Sequence, residues 1–149
     1  MAGLPPIISI ITPTYNRADE LVHLYESLKK QTVDLKLFEF IISDDGSTDI
    51  TQSMVEEWQF NSPFKIKFIS QKNQGPGAAR NHGLDIAEGE LILFIDSDCE
   101  AHPDWIQTIY EEYLNDSFDA CGGPDGSKDD FTTLQKAIDF AMTSFITTG

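Results

Sequence analysis

The chain has 149 residues, enough for one domain with a real hydrophobic core, and its 40% apolar and 11% aromatic content is ordinary for a globular protein. It carries 25 acidic against 10 basic residues, a net charge of −15, which argues against nucleic acid as a partner because such binding leans on a basic surface. Two cysteines, Cys99 and Cys121, lack C-x-x-C spacing, so neither a zinc site nor a disulfide framework is indicated. No apolar run approaches membrane-spanning length, and the start of the chain lacks a basic segment followed by an apolar one. A reducing, cytoplasmic setting is the default.

Taken in order, the chain alternates strand and helix. Residues 6–11 form a short apolar strand, ending at Thr12-Pro13-Thr14-Tyr15-Asn16. Residues 19–30 carry Leu21, Leu24, Tyr25 and Leu28, the stripe of a surface helix. A second strand over 38–42 closes in Ser43-Asp44-Asp45-Gly46-Ser47-Thr48-Asp49, which supplies several candidate N-cap oxygens for a helix through Met54, Val55 and Trp58. Residues 64–69 alternate like a half-exposed strand near a sheet edge. Gly75-Pro76-Gly77-Ala78-Ala79-Arg80-Asn81 opens a third helix, with Ala79, Gly83, Ile86 and Ala87 on one face. Pro103 suits the first turn of a fourth, with Trp105, Ile106, Ile109, Tyr110 and Tyr113 at helical spacing. A fifth strand is expected over 118–121, a flexible stretch over 122–126 and an amphipathic helix over 131–145. This alternation predicts an α/β fold, a mostly parallel sheet covered by helices on both faces.

Between the third and fourth helices, Leu91-Ile92-Leu93-Phe94-Ile95 runs straight into Asp96-Ser97-Asp98. The uninterrupted apolar run predicts a central strand buried on both faces. Its two carboxylates then sit where the strand leaves the core. In open parallel sheets that edge is where ligands bind. Residues at i and i+2 share one side of an extended segment, and two hard oxygen ligands there suit Mg²⁺ or Mn²⁺ held jointly with a phosphate-bearing substrate. A polar strand end, with Asp98 capping the next helix, accounts for the same residues. Three polar loops, 12–17, 44–49 and 96–98, fall at carboxyl ends of strands and make a single crevice.

Four motifs occur in order: Ile10-Ile11-Thr12-Pro13-Thr14-Tyr15-Asn16-Arg17, Ile41-Ile42-Ser43-Asp44-Asp45-Gly46-Ser47-Thr48-Asp49, Gly75-Pro76-Gly77-Ala78-Ala79-Arg80-Asn81 and Asp96-Ser97-Asp98. Together they resemble family 2 glycosyltransferases, whose fold is GT-A, a Rossmann-like sheet. The resemblance implies a nucleotide-sugar donor, commonly a UDP-sugar, and an inverting transfer to a carbohydrate or lipid-linked acceptor. It also implies that Thr12, Pro13, Thr14, Tyr15 and Arg17 form the first nucleotide-contacting loop. Asp44 and Asp45 match carboxylates reading the uracil and ribose side. Gly77 and Arg80 lie next to the nucleotide, and Asp96, Ser97 and Asp98 match the D-x-D motif. In that motif Asp96 and Asp98 hold Mn²⁺ or Mg²⁺ on the diphosphate.

Elementary chemistry agrees with these roles. An ionised carboxylate accepts the N3–H of uracil well. Tyr15 either stacks on a base or packs against its own chain. The glycines before Ala78 permit close backbone approach, and a helix N-terminus favours an anion. His23, His82 and His102 lack clustered ligand spacing and read as surface or helix-terminus residues.

One departure from the family pattern stands out. Its inverting members deprotonate the acceptor with a carboxylate in a later Glu-Asp motif, and nothing after Asp98 matches; Asp125, Asp129 and Asp130 follow the D-x-D too closely. The expectation is therefore a donor-binding GT-A domain over 1–149, truncated before its acceptor half, placed in the cytoplasm or at the inner face of the membrane. The apolar stripe of Phe131, Leu134, Ile138, Ala141, Met142 and Phe145 would then lack part of its cover, which predicts homo-oligomers through that segment. A nucleotide-binding module without turnover and a nucleotidyltransferase are the competing readings. The first is favoured by truncation. The second would show a Gly-rich, basic loop directly after the first strand, which Thr12 to Arg17 is not.

Overall fold

The structure is a computed structural model that describes residues 5–115 and 120. Eight elements alternate: β1 (Ile8–Thr14), α1 (Ala18–Leu28), β2 (Phe38–Asp44), α2 (Thr51–Asn61), β3 (Lys65–Ser70), α3 (Pro76–Leu84), β4 (Leu91–Phe94) and α4 (Trp105–Asn115). The sheet and α1 to α3 belong to one compact unit, Met1–Glu112. The expected strand over 118–121, the stretch 122–126, Cys121 and the apolar helix over 131–145, with the self-association built on it, lie outside the described residues.

The described strands stand in the order β3-β2-β1-β4, and every neighbouring pair is parallel. This corrects one expectation. Among the described residues β4 is an end strand, with Phe94 46% exposed, while β1 and β2 are buried from end to end. A continuous apolar run marks a strand that packs, but it does not say which strand has neighbours on both sides. β3 is the other end strand, as its alternation foretold.

A second correction concerns β1, which runs on through Thr12 and Pro13 to Thr14. A proline in an inner strand has to lose a ladder bond somewhere. In β1 the odd positions face β4: Leu91 donates to the Ile7 carbonyl and Ile95 to that of Ile11. By Pro13 that ladder has ended, since β4 closes at Phe94, paired with Ile11. The missing N–H therefore costs nothing there.

Helices cover both faces. On one, α3 rests on β1 and β2 so closely that a Cβ added at Gly83 would lie 2.7 Å from Ile11 Cγ2. On the other, Phe38 and Phe40 meet Phe64, which meets Tyr25 of α1, itself stacked on Trp58 of α2 at 4.1 Å between ring centroids. α4 begins two residues after Pro103, whose carbonyl accepts from the Thr32 amide, and Gln31 Oε1 accepts from the Ile106 amide at 3.0 Å.

The end of the sheet away from the polar loops holds a buried charge. Glu39 is fully buried; its Oε1 accepts from Ser9 Oγ and the Glu88 amide, each at 2.8 Å, and its Oε2 lies 2.9 Å from Lys67 Nζ. Lys67 also pairs with Glu88 at 2.8 Å. Pairing and hydrogen bonding make such burial tolerable. The network ties the α3–β4 connection to the foot of the sheet.

Candidate functional site

The carboxyl ends of the strands meet around an open cavity of about 280 Å³, lined by Pro13, Thr14, Tyr15, Arg17, Asp45, Pro76, Arg80, Asp96, Ser97 and Asp98. All three polar loops and the start of α3 contribute to it. Thr12, Asp44 and Gly77 are not in its lining. Thr12 is buried and its hydroxyl donates to the Ile95 carbonyl at 2.9 Å, tying β1 to the segment leading into Asp96. A Cβ added at Gly77 would meet open space.

The adjacent carboxylates Asp44 and Asp45 do different things. Asp44 is buried, and its Oδ2 accepts from the amides of Gly46 and Ser47 and from Ser70 Oγ at 2.9–3.2 Å. It builds the turn. That turn needs glycine at position 46, where φ is +84° and a Cβ would lie 3.0 Å from the Gln71 carbonyl oxygen. Asp45 faces the cavity. Its Oδ1 accepts from Gln71 Nε2 at 2.7 Å and the Gln74 amide at 2.9 Å, and its Oδ2 from the Gly75 amide at 2.8 Å. Burial pushes this carboxyl up, but those three donors outweigh it and hold it below the ordinary value, so it stays ionised. With three bonds accepted, a carboxylate keeps room for another donor.

Asp96 and Asp98 follow β4 in a turn closed by the Cys99 amide on the Asp96 carbonyl at 3.1 Å. Both side chains are more than half exposed, and each meets an arginine: Arg80 lies 2.6 Å from Asp96 and Arg17 lies 3.4 Å from Asp98. Arg17 is also held at 2.7 Å by Glu20, whose hydrogen bond is the main reason its already high pKa rises further. Two hard carboxylates beside one open cavity fit a divalent cation whose remaining ligands come from a bound molecule or water. Among the described residues no group of three or more His, Cys, Asp or Glu side chains could hold a metal by itself. His102 takes no part in the cavity lining; it sits before α4, where its Nδ1 accepts from the Asp104 amide at 3.3 Å.

Two contributors escape a reading of the sequence. Gln71 and Gln74 hold Asp45 from the loop after β3, a fourth strand-end loop whose polar run Gln71-Lys72-Asn73-Gln74 was a usable signal. Asn16, Ser47 and Thr48 join the loops after β1 and β2 to each other, a pairing across about thirty residues that spacing does not announce.

Comparison with known proteins matches the same stretch. Over 117 residues the chain is 39% identical to chondroitin synthase of Escherichia coli, covering 78% of this chain and 16% of that protein. It is 37% identical over 106 residues to validoxylamine A glucosyltransferase of Streptomyces hygroscopicus, covering 70% of this chain and 25% of that one. The chain thus spans only a minor part of these relatives. The crystal structure of Staphylococcus aureus TarS 1-349 in complex with UDP-GlcNAc superposes with a TM-score of 0.68 at 34% identity, over 72% of this chain and 31% of that one. The fold is accordingly GT-A-like. With the glycosyl transferase family 2 model matching residues 9–148, the chain belongs to that family.

Proposed function

We propose that this chain is the donor-binding part of an inverting glycosyltransferase that uses a UDP-sugar together with Mn²⁺ or Mg²⁺ and delivers the sugar to a carbohydrate or lipid-linked acceptor. The observation that carries the reading is one cavity in which Tyr15, Asp45, Arg80, Asp96 and Asp98 meet. Asp45, ionised and with capacity to spare, accepts the N3–H of the base, while Tyr15 offers a ring face. Asp44 serves the turn rather than the ligand. Arg80 and Arg17 answer the diphosphate, in a chain whose overall charge of −15 would otherwise repel it. Asp96 and Asp98 would hold the cation. When bound it supplies Lewis-acid stabilisation of the departing diphosphate. The 34% identity with TarS, solved with UDP-GlcNAc, supports the choice of uridine.

A second reading, a nucleotide-binding module without turnover, is favoured by one observation. Each of the three carboxylates lining the cavity is already engaged, Asp45 by Gln71, Gln74 and Gly75, Asp96 by Arg80 and Asp98 by Arg17. None stands as a spare general base.

Calorimetry with UDP tests the reading. Binding should require Mn²⁺ or be strengthened at least tenfold by it, and Asp98→Asn should remove that gain while leaving the unfolding temperature unchanged. Equal UDP affinity with and without the cation in both proteins would refute the cation's role.

A further inference from the structure

We propose that Asn16 is a positioning residue for the donor: by fastening the loop after β1 to the loop after β2, it sets the separation of the two cavity walls carried by Tyr15 and Asp45. The inference rests on the donor reading given above and deepens it.

Three observations converge on Asn16. It is the only non-glycine residue with positive φ among the described residues, at 52°. Asparagine tolerates that left-handed region better than most side chains. The reversal it creates lets its neighbours face the cavity while Asn16 itself stays out of the lining. Tyr15 and Arg17 line the cavity, and Asn16 turns to the neighbouring loop.

There its amide donates to Ser47 Oγ at 2.8 Å, and its Oδ1 accepts from the Thr48 amide at 2.8 Å. Three further bonds flank this pair. At the foot, the Asp45 amide donates to the Thr14 carbonyl at 2.8 Å. Beyond it, Asp49 Oδ2 accepts from the Ala18 amide at 3.1 Å, while its Oδ1 accepts from the Thr51 amide at 3.0 Å. The clamp thus spans both loops, and its middle is made by Asn16.

Tyr15 has reason to depend on it. The side chain is 47% exposed, and no aromatic partner holds its ring among the described residues. With no ring contact among the described residues to fix it, where that ring sits follows in part from the backbone. A residue that sets the backbone at position 16 therefore sets the distance from the Tyr15 ring to the Asp45 carboxylate, which is the gap a base would enter. Holding groups in place before binding removes an ordering cost that would otherwise weaken affinity.

Calorimetric titration of UDP and CDP in the presence of Mn²⁺ tests this with Asn16→Gly, Ser47→Ala, Tyr15→Ala and the double variant Tyr15→Ala/Asn16→Gly. Glycine keeps the positive φ and removes only the clamp's side chain; Ser47→Ala removes a clamp bond without touching position 16. The expected result is a loss of UDP affinity of about three- to tenfold in both, the worth of one or two hydrogen bonds. The preference for UDP over CDP should shrink with it, which mere loss of stability would not cause below the unfolding temperature. In the Tyr15→Ala background, Asn16→Gly should cost less than twofold, because coupled residues do not add. UDP affinity and UDP-over-CDP preference within twofold of the unmodified chain in both single variants would overturn the inference. So would an undiminished effect of Asn16→Gly once Tyr15 is gone. Failure of the unmodified chain to bind UDP at all would instead overturn the donor reading, and this inference with it.

Discussion

At the scale of single residues, the two aspartates after β2 show how neighbours of one type divide labour. Asp44 spends its hydrogen bonds on the turn through Gly46 and Ser47, and Asp45 keeps an oxygen edge toward the cavity. Asp45→Ala should therefore erase most of the preference for UDP over CDP, with a loss worth ~1.5–3 kcal/mol in UDP affinity, measured by calorimetry. Asp45 and Asp49 also make the fold sensitive to acid. In each, burial raises the carboxyl pKa, and hydrogen bonds to Gln71, Gln74 and Gly75, or to Thr51 and Ala18, more than reverse it. The unfolded chain takes up these protons near the ordinary value of 3.8, while the folded chain resists until a lower pH. Their contribution is fully present above that value and is lost as pH falls through the lower folded one. Thermal unfolding followed from about pH 6 to about pH 2.5 should show the midpoint dropping below pH 4. Asp49→Asn should start lower and fall less steeply over that range.

At the scale of elements, the sequence carried the alternation of strands and helices because each has its own period, two residues or three to four, written in side chains that pack. Ile8–Thr14 and Phe38–Asp44 became strands, and Leu21, Leu24 and Leu28 became the inner stripe of α1, as that logic requires. What periodicity cannot carry is order across the sheet. The run 91–95 reads as more central than 8–11, yet β1 and not β4 has a described neighbour on each side. Nor can it carry hydrogen bonds between loops: the Asn16 clamp left no trace in it, and the hold of Gln71 on Asp45 left only the polar run after β3. Of the candidate site residues, Pro13 and Thr14 at the end of β1, those on the loops and Arg80 reached the cavity, while Thr12 and Asp44 are buried outside its lining and Gly77 does not line it. Close packing between elements yields its own prediction. α3 sits on β1 through Gly83, with room for hydrogen only, so Gly83→Ala must push Ile11 or the helix aside. Overpacking of this kind costs ~1–3 kcal/mol, which denaturant unfolding would register as a lower midpoint with an unchanged slope.

At the scale of the whole molecule, the described sheet has two polar ends with opposite characters. The amino end is closed: Glu39, Lys67 and Glu88 satisfy one another around a buried carboxylate. The carboxyl end is open and rich in groups able to meet a ligand. Yet its charges are not idle there, because Arg80 and Arg17 are held by Asp96 and Asp98. Exposed pairs of this kind are weak, about 0–1 kcal/mol each, so ligands displace them at little cost. A guanidinium engaged by a carboxylate is withheld from a phosphate, and that carboxylate is withheld from a cation. A cation that takes Asp96 liberates Arg80, while Arg17 keeps its closer bond to Glu20, and a diphosphate that takes the arginines liberates the carboxylates. Each ligand thereby prepares the ground for the other, and thermodynamic reciprocity demands that the help be equal in both directions. Calorimetric titrations should find that saturating UDP strengthens Mn²⁺ binding by the same factor by which Mn²⁺ strengthens UDP binding. In Arg80→Gln, Mn²⁺ alone should bind more tightly than to the unmodified chain, and the shared factor should contract toward one.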